Sequence, residues 1–136
     1  QAVGFESALN AFISNCLKRS SCALAGDLPT ARNQVIDLLA KTAITPLKSK
    51  SGREVTESLV LLGIASALYD SESGWPVLRD AFKEATLGSG ESFLILADQY
   101  AGRQENGSYL NNENDALQII DCLDQKTSET VLEFKF

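Results

Sequence analysis

The sequence predicts an all-α fold of about six packed helices, with at most a minor β-hairpin near residues 46–55. Apolar residues recur at steps of three and four along most of the chain, as they do on one face of an α-helix. The chain has 136 residues, of which 44% are hydrophobic, enough to bury the core of one domain.

The first two helices are predicted from their apolar faces and their capping residues. Helix one, Gly4–Arg19, has the inward residues Phe5, Ala8, Leu9, Phe12, Ile13, Cys16 and Leu17. Asp27 can cap a second helix, and Pro29 suits its first turn. The inward residues of this second helix are Ala31, Val35, Leu38 and Leu39.

The next segment combines a turn with the most apolar stretch of the chain. Residues 46–55 read as two short extended pieces around a Ser-Gly turn. Thr56 can then cap a third helix. Leu59–Leu68 is apolar nearly all round, which is typical of a central helix. A buried strand is the alternative, but Gly63 and two alanines favour a closely packed helix.

Three more helices and a tail complete the prediction. Ser73–Pro76 opens the fourth helix, and Gly88–Gly90 separates it from the fifth. Their inward residues are Trp75, Leu78, Phe82 and Ala85 in the fourth, Phe93, Leu96, Ala97 and Tyr100 in the fifth, and Ala116, Ile119 and Ile120 in a short sixth that ends at Cys122. Residues 125–136 form a C-terminal tail whose end alternates like a strand, or which is an artificial remnant.

The chain contains no histidine, and this excludes most catalytic sites within it. Ser-His-Asp and Cys-His sites require an imidazole, and the common catalytic zinc sites require histidine ligands. Glycine-rich phosphate loops and carboxylate-rich calcium loops are also lacking. We therefore expect no catalytic residue, no metal and no cofactor in this chain.

The net charge limits the classes of binding partner, and the cysteines bear on the redox state of the cellular compartment. Lys and Arg total 12 against 18 Asp and Glu, a net charge of -6 that disfavours nucleic acids and anionic membranes. No apolar run approaches the roughly 20 residues of a membrane span. Cys16 and Cys22 flank a predicted helix end, where a disulfide would indicate an oxidising compartment; free buried thiols are the alternative. Cys122 has no evident partner.

Two loops bring aromatic side chains next to carboxylates and amides. The first is Leu68–Pro76 and the second is Tyr109–Asp115. Loops of this composition are suited to hold a polar ligand. The alternative is ordinary helix capping, with Ser73 and Asn112 or Asn114 as the caps.

An ordered series of short motifs runs through nearly the whole chain. It comprises Gly4-Phe5-Glu6, Ala8-Leu9, Phe12, Asn15-Cys16, Cys22, Pro46-Leu47, Gly52-Arg53, Thr56, Gly63-Ile64, Ala67-Leu68-Tyr69-Asp70, Trp75-Pro76-Val77-Leu78, Leu96-Ala97-Asp98-Gln99-Tyr100, Arg103, Gly107-Ser108-Tyr109-Leu110-Asn111, Ala116, Ile119-Ile120 and Cys122-Leu123-Asp124. This series resembles the helical lid of the tripeptidyl-aminopeptidase-like α/β-hydrolases, secreted actinobacterial serine peptidases related to prolyl iminopeptidases.

The resemblance implies a function for residues 1–124 as a helical lid. In that family the lid is inserted into a catalytic α/β domain, whose serine precedes it and whose acid and histidine follow it. The chain, which has no methionine, is then expected to be a segment of a longer protein. Its partners would be the catalytic domain of the same parent protein and a peptide substrate, in a secreted or cell-envelope location. The resemblance also implies the Cys16–Cys22 disulfide, whereas residues 125–136 depart from the family pattern.

A lid of this kind can supply carboxylates to the α-ammonium group of a peptide, which needs a negative partner when it is desolvated. The candidate substrate-binding residues are Asp70, Glu72, Asn111 and Asp115, with Trp75 and Tyr109 as apolar walls. The alternative function is a free-standing helical protein-interaction module. The flanking reading frame discriminates between the two, because only a lid requires a catalytic serine upstream and an Asp and His downstream.

Overall fold

The chain forms two compact units, Gln1–Tyr100 and Ala101–Phe136. The computed structural model describes residues 2–113 and residue 116. In this part of the chain lie five helices and one two-stranded sheet: α1 (Ala2–Leu17), α2 (Leu28–Ile44), β1 (Leu47–Lys48), β2 (Glu54–Val55), α3 (Glu57–Leu68), α4 (Gly74–Ala85) and α5 (Glu91–Ala101). The predicted all-α class with a minor hairpin is confirmed. Nearly all of the predicted sixth helix, and the tail at 125–136, lie outside the described residues.

The turn between α1 and α2 is fixed at both ends. A disulfide joins Cys16, which is buried at the end of α1, to Cys22 in the following loop, with their Cα atoms 5.3 Å apart. The predicted bridge is therefore present. Asp27 begins α2 as its N-cap, where its carboxylate accepts a hydrogen bond from the Thr30 N–H at 2.9 Å. Pro29 lies in the first turn, where its missing N–H costs no helical hydrogen bond.

Helix α3 is central, as its uniformly apolar sequence predicts. It packs against α1, α2 and α4, and Val60, Ile64 and Ala67 are buried in these contacts. Gly63 allows α5 to approach closely, since a Cβ atom at this position would lie only 2.7 Å from the Phe93 carbonyl oxygen. The glycine that argued for a packed helix thus marks a contact between two backbones.

The hairpin covers one end of the helical core. Leu47 of β1 pairs with Val55 of β2 in antiparallel register, and both side chains are buried. An ion pair between Arg53, the residue before β2, and Asp98 of α5, with Nη1 and Oδ2 at 2.7 Å, ties the hairpin to α5. The hairpin therefore belongs to the packed core of the first unit and is not a detached loop.

Some local predictions differ from the structure. Tyr100, predicted to point inward from the fifth helix, is 48% exposed. Thr56 and Ser73 occupy the N-cap positions of α3 and α4, but neither side chain makes a capping hydrogen bond. Before α4, the Asp70 carboxylate instead accepts hydrogen bonds from the N–H groups of Glu72 and Ser73 in the preceding turn, and the Gly74 N–H donates to the Asp70 backbone carbonyl at 2.9 Å. The sequence pattern shows where a helix begins but not which nearby acceptor satisfies its first N–H groups.

Candidate functional site

The main concave feature of the first unit is a groove formed chiefly by α1, α2 and α3. We call it the α1–α3 groove; its volume is about 930 Å³. Its lining residues are Gly4, Phe5, Glu6, Ala8, Leu9, Arg32, Val35, Ile36, Leu39, Leu61, Ile64, Ala65, Leu68, Tyr69 and Tyr100. Most of these side chains are apolar, so the groove presents a hydrophobic surface to solvent.

The groove has a buried floor and an exposed edge. Val35 and Ile64 line it from positions that are otherwise buried in the core. Ile36 and Leu61 also line it but are 56% and 44% exposed. Large apolar side chains gathered and left open in this way are typical of a surface that binds something.

Two tyrosines form an aromatic pair at the groove. Tyr69, at the end of α3, stacks on Tyr100 with ring centroids 6.0 Å apart and planes inclined by 19°. Hydrogen bonding to the Tyr69 side chain, and then the repulsion between two phenolates, raises the pKa of Tyr100. The Tyr100 hydroxyl therefore stays protonated near neutral pH, and the pair offers two stacked ring faces to the groove.

The groove contains one acidic and one basic side chain, and these interact with each other. Glu6 Oε1 of α1 lies 3.7 Å from Arg32 Nη2 of α2. Both side chains are substantially exposed, so the pair contributes little to stability. The pair leaves the lining of the groove without net charge.

The first of the two predicted ligand loops is built around Asp70. Its carboxylate accepts hydrogen bonds from the Ser73 hydroxyl and from the N–H groups of Glu72, at 2.8 Å, and Ser73. These hydrogen bonds lower the pKa of Asp70, and the bond from the Ser73 hydroxyl has the largest effect. Asp70 thus remains ionised in a turn that leads into α4, and Glu72 beside it is exposed. Both carboxylates are accessible to a ligand.

Trp75 lies in the first turn of α4 and is half-buried. Its indole ring meets the Phe12 ring edge-on, with centroids 5.8 Å apart. Within the described part of the chain, its Nε1–H is buried and has no hydrogen-bond acceptor. Trp75 therefore contributes mainly to the packing of α4 on α1.

The second predicted loop belongs to the second unit. Tyr109 is exposed and forms an isolated antiparallel bridge with Arg103 across a turn at Asn106–Ser108. Asn111 Oδ1 accepts a hydrogen bond from the Glu113 N–H at 3.1 Å. Asp115 lies outside the described residues. The structure thus brings Asp70, Glu72 and Trp75 together in one loop region, and Tyr109 and Asn111 in another.

The α1–α3 groove was not predicted from the sequence. Five of its fifteen lining residues were assigned to the inward faces of α1 and α2, because an apolar helix face looks the same whether or not a neighbour covers it. One feature of the sequence could have indicated the groove. Ile36 lies beside the predicted inward face of α2, and Leu61 is part of a helix that is apolar on every side. Apolar residues outside the face required by packing indicate a second contact surface.

The described residues contain no cluster of side chains suited to hold a metal ion. Across residues 2–113 and 116, no group of three or more Cys, Asp or Glu side chains is placed to hold a metal. In the same residues, none of the helices combines the length and the apolar character that crossing a membrane requires.

Comparison with known proteins relates this chain to hydrolases. No family model matches it. It is 33% identical over 133 residues to Serine protease Hip1 of Mycobacterium bovis, and equally to Hip1 of Mycobacterium tuberculosis, covering 92% of this chain and 25% of each protein. It is 30% identical over 128 residues to Carboxylesterase B of Mycobacterium tuberculosis, covering 93% of this chain and 24% of that protein. The chain spans about a quarter of the length of the curated relatives it matches, and is thereby related to one region of larger hydrolases.

Proposed function

We propose that this chain is the lid of a larger hydrolase, covering the active site and shaping substrate access. The observation that carries the proposal is the open α1–α3 groove on a helical domain that aligns with about a quarter of each hydrolase relative. A lid needs an apolar surface on the side that faces substrate, and it excludes water when it closes. The groove supplies such a surface, and the chain's lack of histidine fits a partner that supplies the catalysis.

The finer proposal is a serine aminopeptidase that removes short peptides from N-termini. Its support is the ordered motif series from Gly4 to Asp124, together with the relatives named as a serine protease and a carboxylesterase. The Cys16–Cys22 disulfide supports a secreted or cell-envelope location, because such bridges persist in oxidising compartments. Residues 1–124 would form the lid, and a peptide would be the substrate.

The test is to remove the lid from the parent protein. Replacing residues 4–124 by a short Gly-Ser linker should leave the turnover of p-nitrophenyl acetate unchanged, because this small ester needs no lid contacts. The same replacement should lower kcat/KM for peptide substrates by about a hundred-fold, since their positioning is lost. The isolated chain should hydrolyse neither. Unchanged peptide kinetics after the replacement, or turnover by the isolated chain that a mutation within it abolishes, would contradict the lid function.

The proposed substrate carboxylates can be tested in the same parent protein. We expect Asp70→Asn, or Asp115→Asn, to raise KM for peptides with a free amino terminus by about ten- to hundred-fold, the value of one charge-assisted hydrogen bond. Peptides with a blocked amino terminus should be unaffected, because they carry no ammonium group.

Asp27→Asn is the matched control for Asp70→Asn. Asp27 is likewise an exposed carboxylate whose pKa is lowered, mainly by hydrogen bonds with Thr30, but it caps α2 and lies outside the predicted ligand loops. Both substitutions should affect thermal stability to a similar degree, and only Asp70→Asn should change KM. If the Asp70 and Asp115 variants keep the wild-type KM for free and blocked peptides alike, these carboxylates are structural. The other proposed substrate-binding residues are Glu72 and Trp75 in the first loop, and Tyr109 and Asn111 in the second.

A further inference from the structure

The turn that leads into the second predicted ligand loop contains the only Asn-Gly dipeptide of the sequence, Asn106-Gly107. Asn106 and Ser108 are exposed to solvent. Gly107 has a φ of +85°, in the left-handed region that glycine adopts without strain. Because glycine has no Cβ atom, its peptide nitrogen is open to attack the side chain of the residue before it. The turn therefore places an amide carbon and an unhindered peptide nitrogen next to each other in water.

The side-chain amide of Asn106 is polarised by two hydrogen bonds. Its Oδ1 accepts from the Ser108 N–H at 2.9 Å and from the Ser108 hydroxyl at 2.6 Å. Both donors would stabilise the negative charge that develops on Oδ1 when Cγ is attacked. The bond from the Ser108 N–H also closes a ring of the chain that includes Asn106 Cγ and the Gly107 nitrogen, which limits the separation of these two atoms.

A positive charge lies beside the same glycine. A Cβ atom at Gly107 would be 3.2 Å from Arg103 Nη2, so the guanidinium group lies against this residue. The Gly107 nitrogen attacks only after it loses its proton, and a nearby cation favours the negative charge that remains. One contact opposes this step, since the Gly107 N–H donates to the Gln104 carbonyl at 2.9 Å. It is a single neutral hydrogen bond, set against a cation and two donors that favour the reaction.

We propose that Asn106 is a site of slow self-modification, at which the folded chain converts this asparagine into aspartate and isoaspartate. Hydroxide removes the Gly107 amide proton, and the nitrogen forms a bond to Asn106 Cγ while the C=O electron pair moves to Oδ1. The tetrahedral carbon then expels Nδ2, which takes a proton from water and leaves as ammonia, so that a cyclic succinimide remains. A water molecule adds to either ring carbonyl and opens the ring. The reaction consumes only water.

Either product alters the turn before the second ligand loop. Each adds a negative charge to a chain that carries -6, and isoaspartate also lengthens the main chain by the Cβ atom. The hydrogen bond from the Gln104 N–H to the Ser108 carbonyl, at 2.7 Å, and the bridge between Arg103 and Tyr109 both depend on the present spacing. We therefore expect the modification to displace Tyr109. An effect on substrate would rest on the proposed function, whereas the modification itself does not.

The full 136-residue chain is incubated at mildly alkaline pH in water enriched in heavy oxygen, and its peptides are then sequenced by tandem mass spectrometry. Opening of the succinimide incorporates heavy oxygen, which distinguishes new product from any that was present at the start. We expect label at position 106 and none at Asn33 over the same period. Asn33 is the internal control, because it is exposed but lies inside α2, where the helix fixes the backbone. No label at Asn106 in the folded chain would overturn the proposal.

Two variants test the activating contacts. Ser108→Ala removes the hydroxyl donor and should slow the conversion by about two- to ten-fold, the value of one hydrogen bond. Arg103→Gln removes the cation and should slow it by about two- to five-fold, as expected of an exposed charge. In urea, where these contacts are absent, both variants should react at the wild-type rate. Folded variants that react like the folded wild type, or an equal slowing in urea, would overturn the role assigned to the fold.

The displacement of the loop is read by NMR. Amide signals of Gln104, Ser108 and Tyr109 should move in the converted chain, and they should stay in place in an Asn106→Gln chain incubated in the same way. The longer glutamine side chain would have to form a six-membered ring, so this variant keeps an amide but cyclises more slowly. Unchanged signals after conversion would contradict the displacement. These measurements use the chain alone, so failure of the lid function in the linker replacement would leave their result untouched.

Discussion

Phe12→Ala is expected to lower the free energy of unfolding by about 3–5 kcal/mol, a large fraction of the stability of an ordinary domain. Phe12 is fully buried in α1. Its ring meets Trp75 of α4 at 5.8 Å and Phe82 of α4 at 6.0 Å, and Phe82 in turn meets Phe93 of α5 at 5.4 Å. Truncation would leave a cavity at the point where three helices meet.

Urea unfolding monitored by circular dichroism measures this loss. Trp75 is the only tryptophan and packs on Phe12, so its fluorescence reports the local change independently. Phe5→Ala is the matched control, because Phe5 lies on the same helix and face but is only partly buried. A loss in Phe12→Ala no larger than that in Phe5→Ala would show that the aromatic cluster does not organise the core.

The comparison of Phe12 with Phe5 also shows how far the sequence could predict the fold. The three- and four-residue spacing correctly placed both residues on one face of α1. It did not show that Phe12 would be covered by α4 while Phe5 would line a groove. Periodicity depends only on the helix itself, whereas burial depends on which neighbouring helices reach each turn.

Helix α3 illustrates the same distinction. Its apolar surface on every side predicted a central position, and Val60, Ile64 and Ala67 are indeed buried between neighbouring helices. Leu61 on the same helix is open to the α1–α3 groove. A helix can be apolar all round because neighbours in its own domain bury it, or because part of its surface binds a further partner. The sequence of one domain does not separate these cases.

The candidate carboxylates were proposed from the composition of the loops. Their local hydrogen bonds could be seen only in the structure. Aromatics beside acids marked the loop at Asp70, but Asp70 also holds the turn before α4 by accepting hydrogen bonds from Ser73 and the Glu72 N–H. One carboxylate can serve both roles, since it has about four acceptor positions. This is why the kinetic test compares Asp70 with Asp27, a capping carboxylate elsewhere in the fold.

Gly74→Ala is expected to lower the free energy of unfolding by about 2–3 kcal/mol, at the upper end of the usual overpacking penalty. Gly74 begins α4 and is buried against α3. A Cβ atom there would clash with the Ala67 carbonyl oxygen and lie only 2.8 Å from the Ala67 Cα. Both obstacles are backbone atoms of a central helix, so no side-chain rotation relieves them. The helices would have to separate, which would also loosen the packing of Trp75 on Phe12.

Gly4→Ala is the matched control, since it makes the same change inside a helix. Gly4 lies in α1, and a Cβ atom there would have nothing within 4 Å. Alanine is the better helix former, so this variant should be more stable than the wild type by about 0.5–1 kcal/mol. Thermal and urea unfolding of both variants measure the difference. If Gly74→Ala is also neutral or stabilising, α3 and α4 are not in the close contact described here. Opposite signs for the two variants would show that close backbone packing, and not helix propensity, requires glycine at position 74.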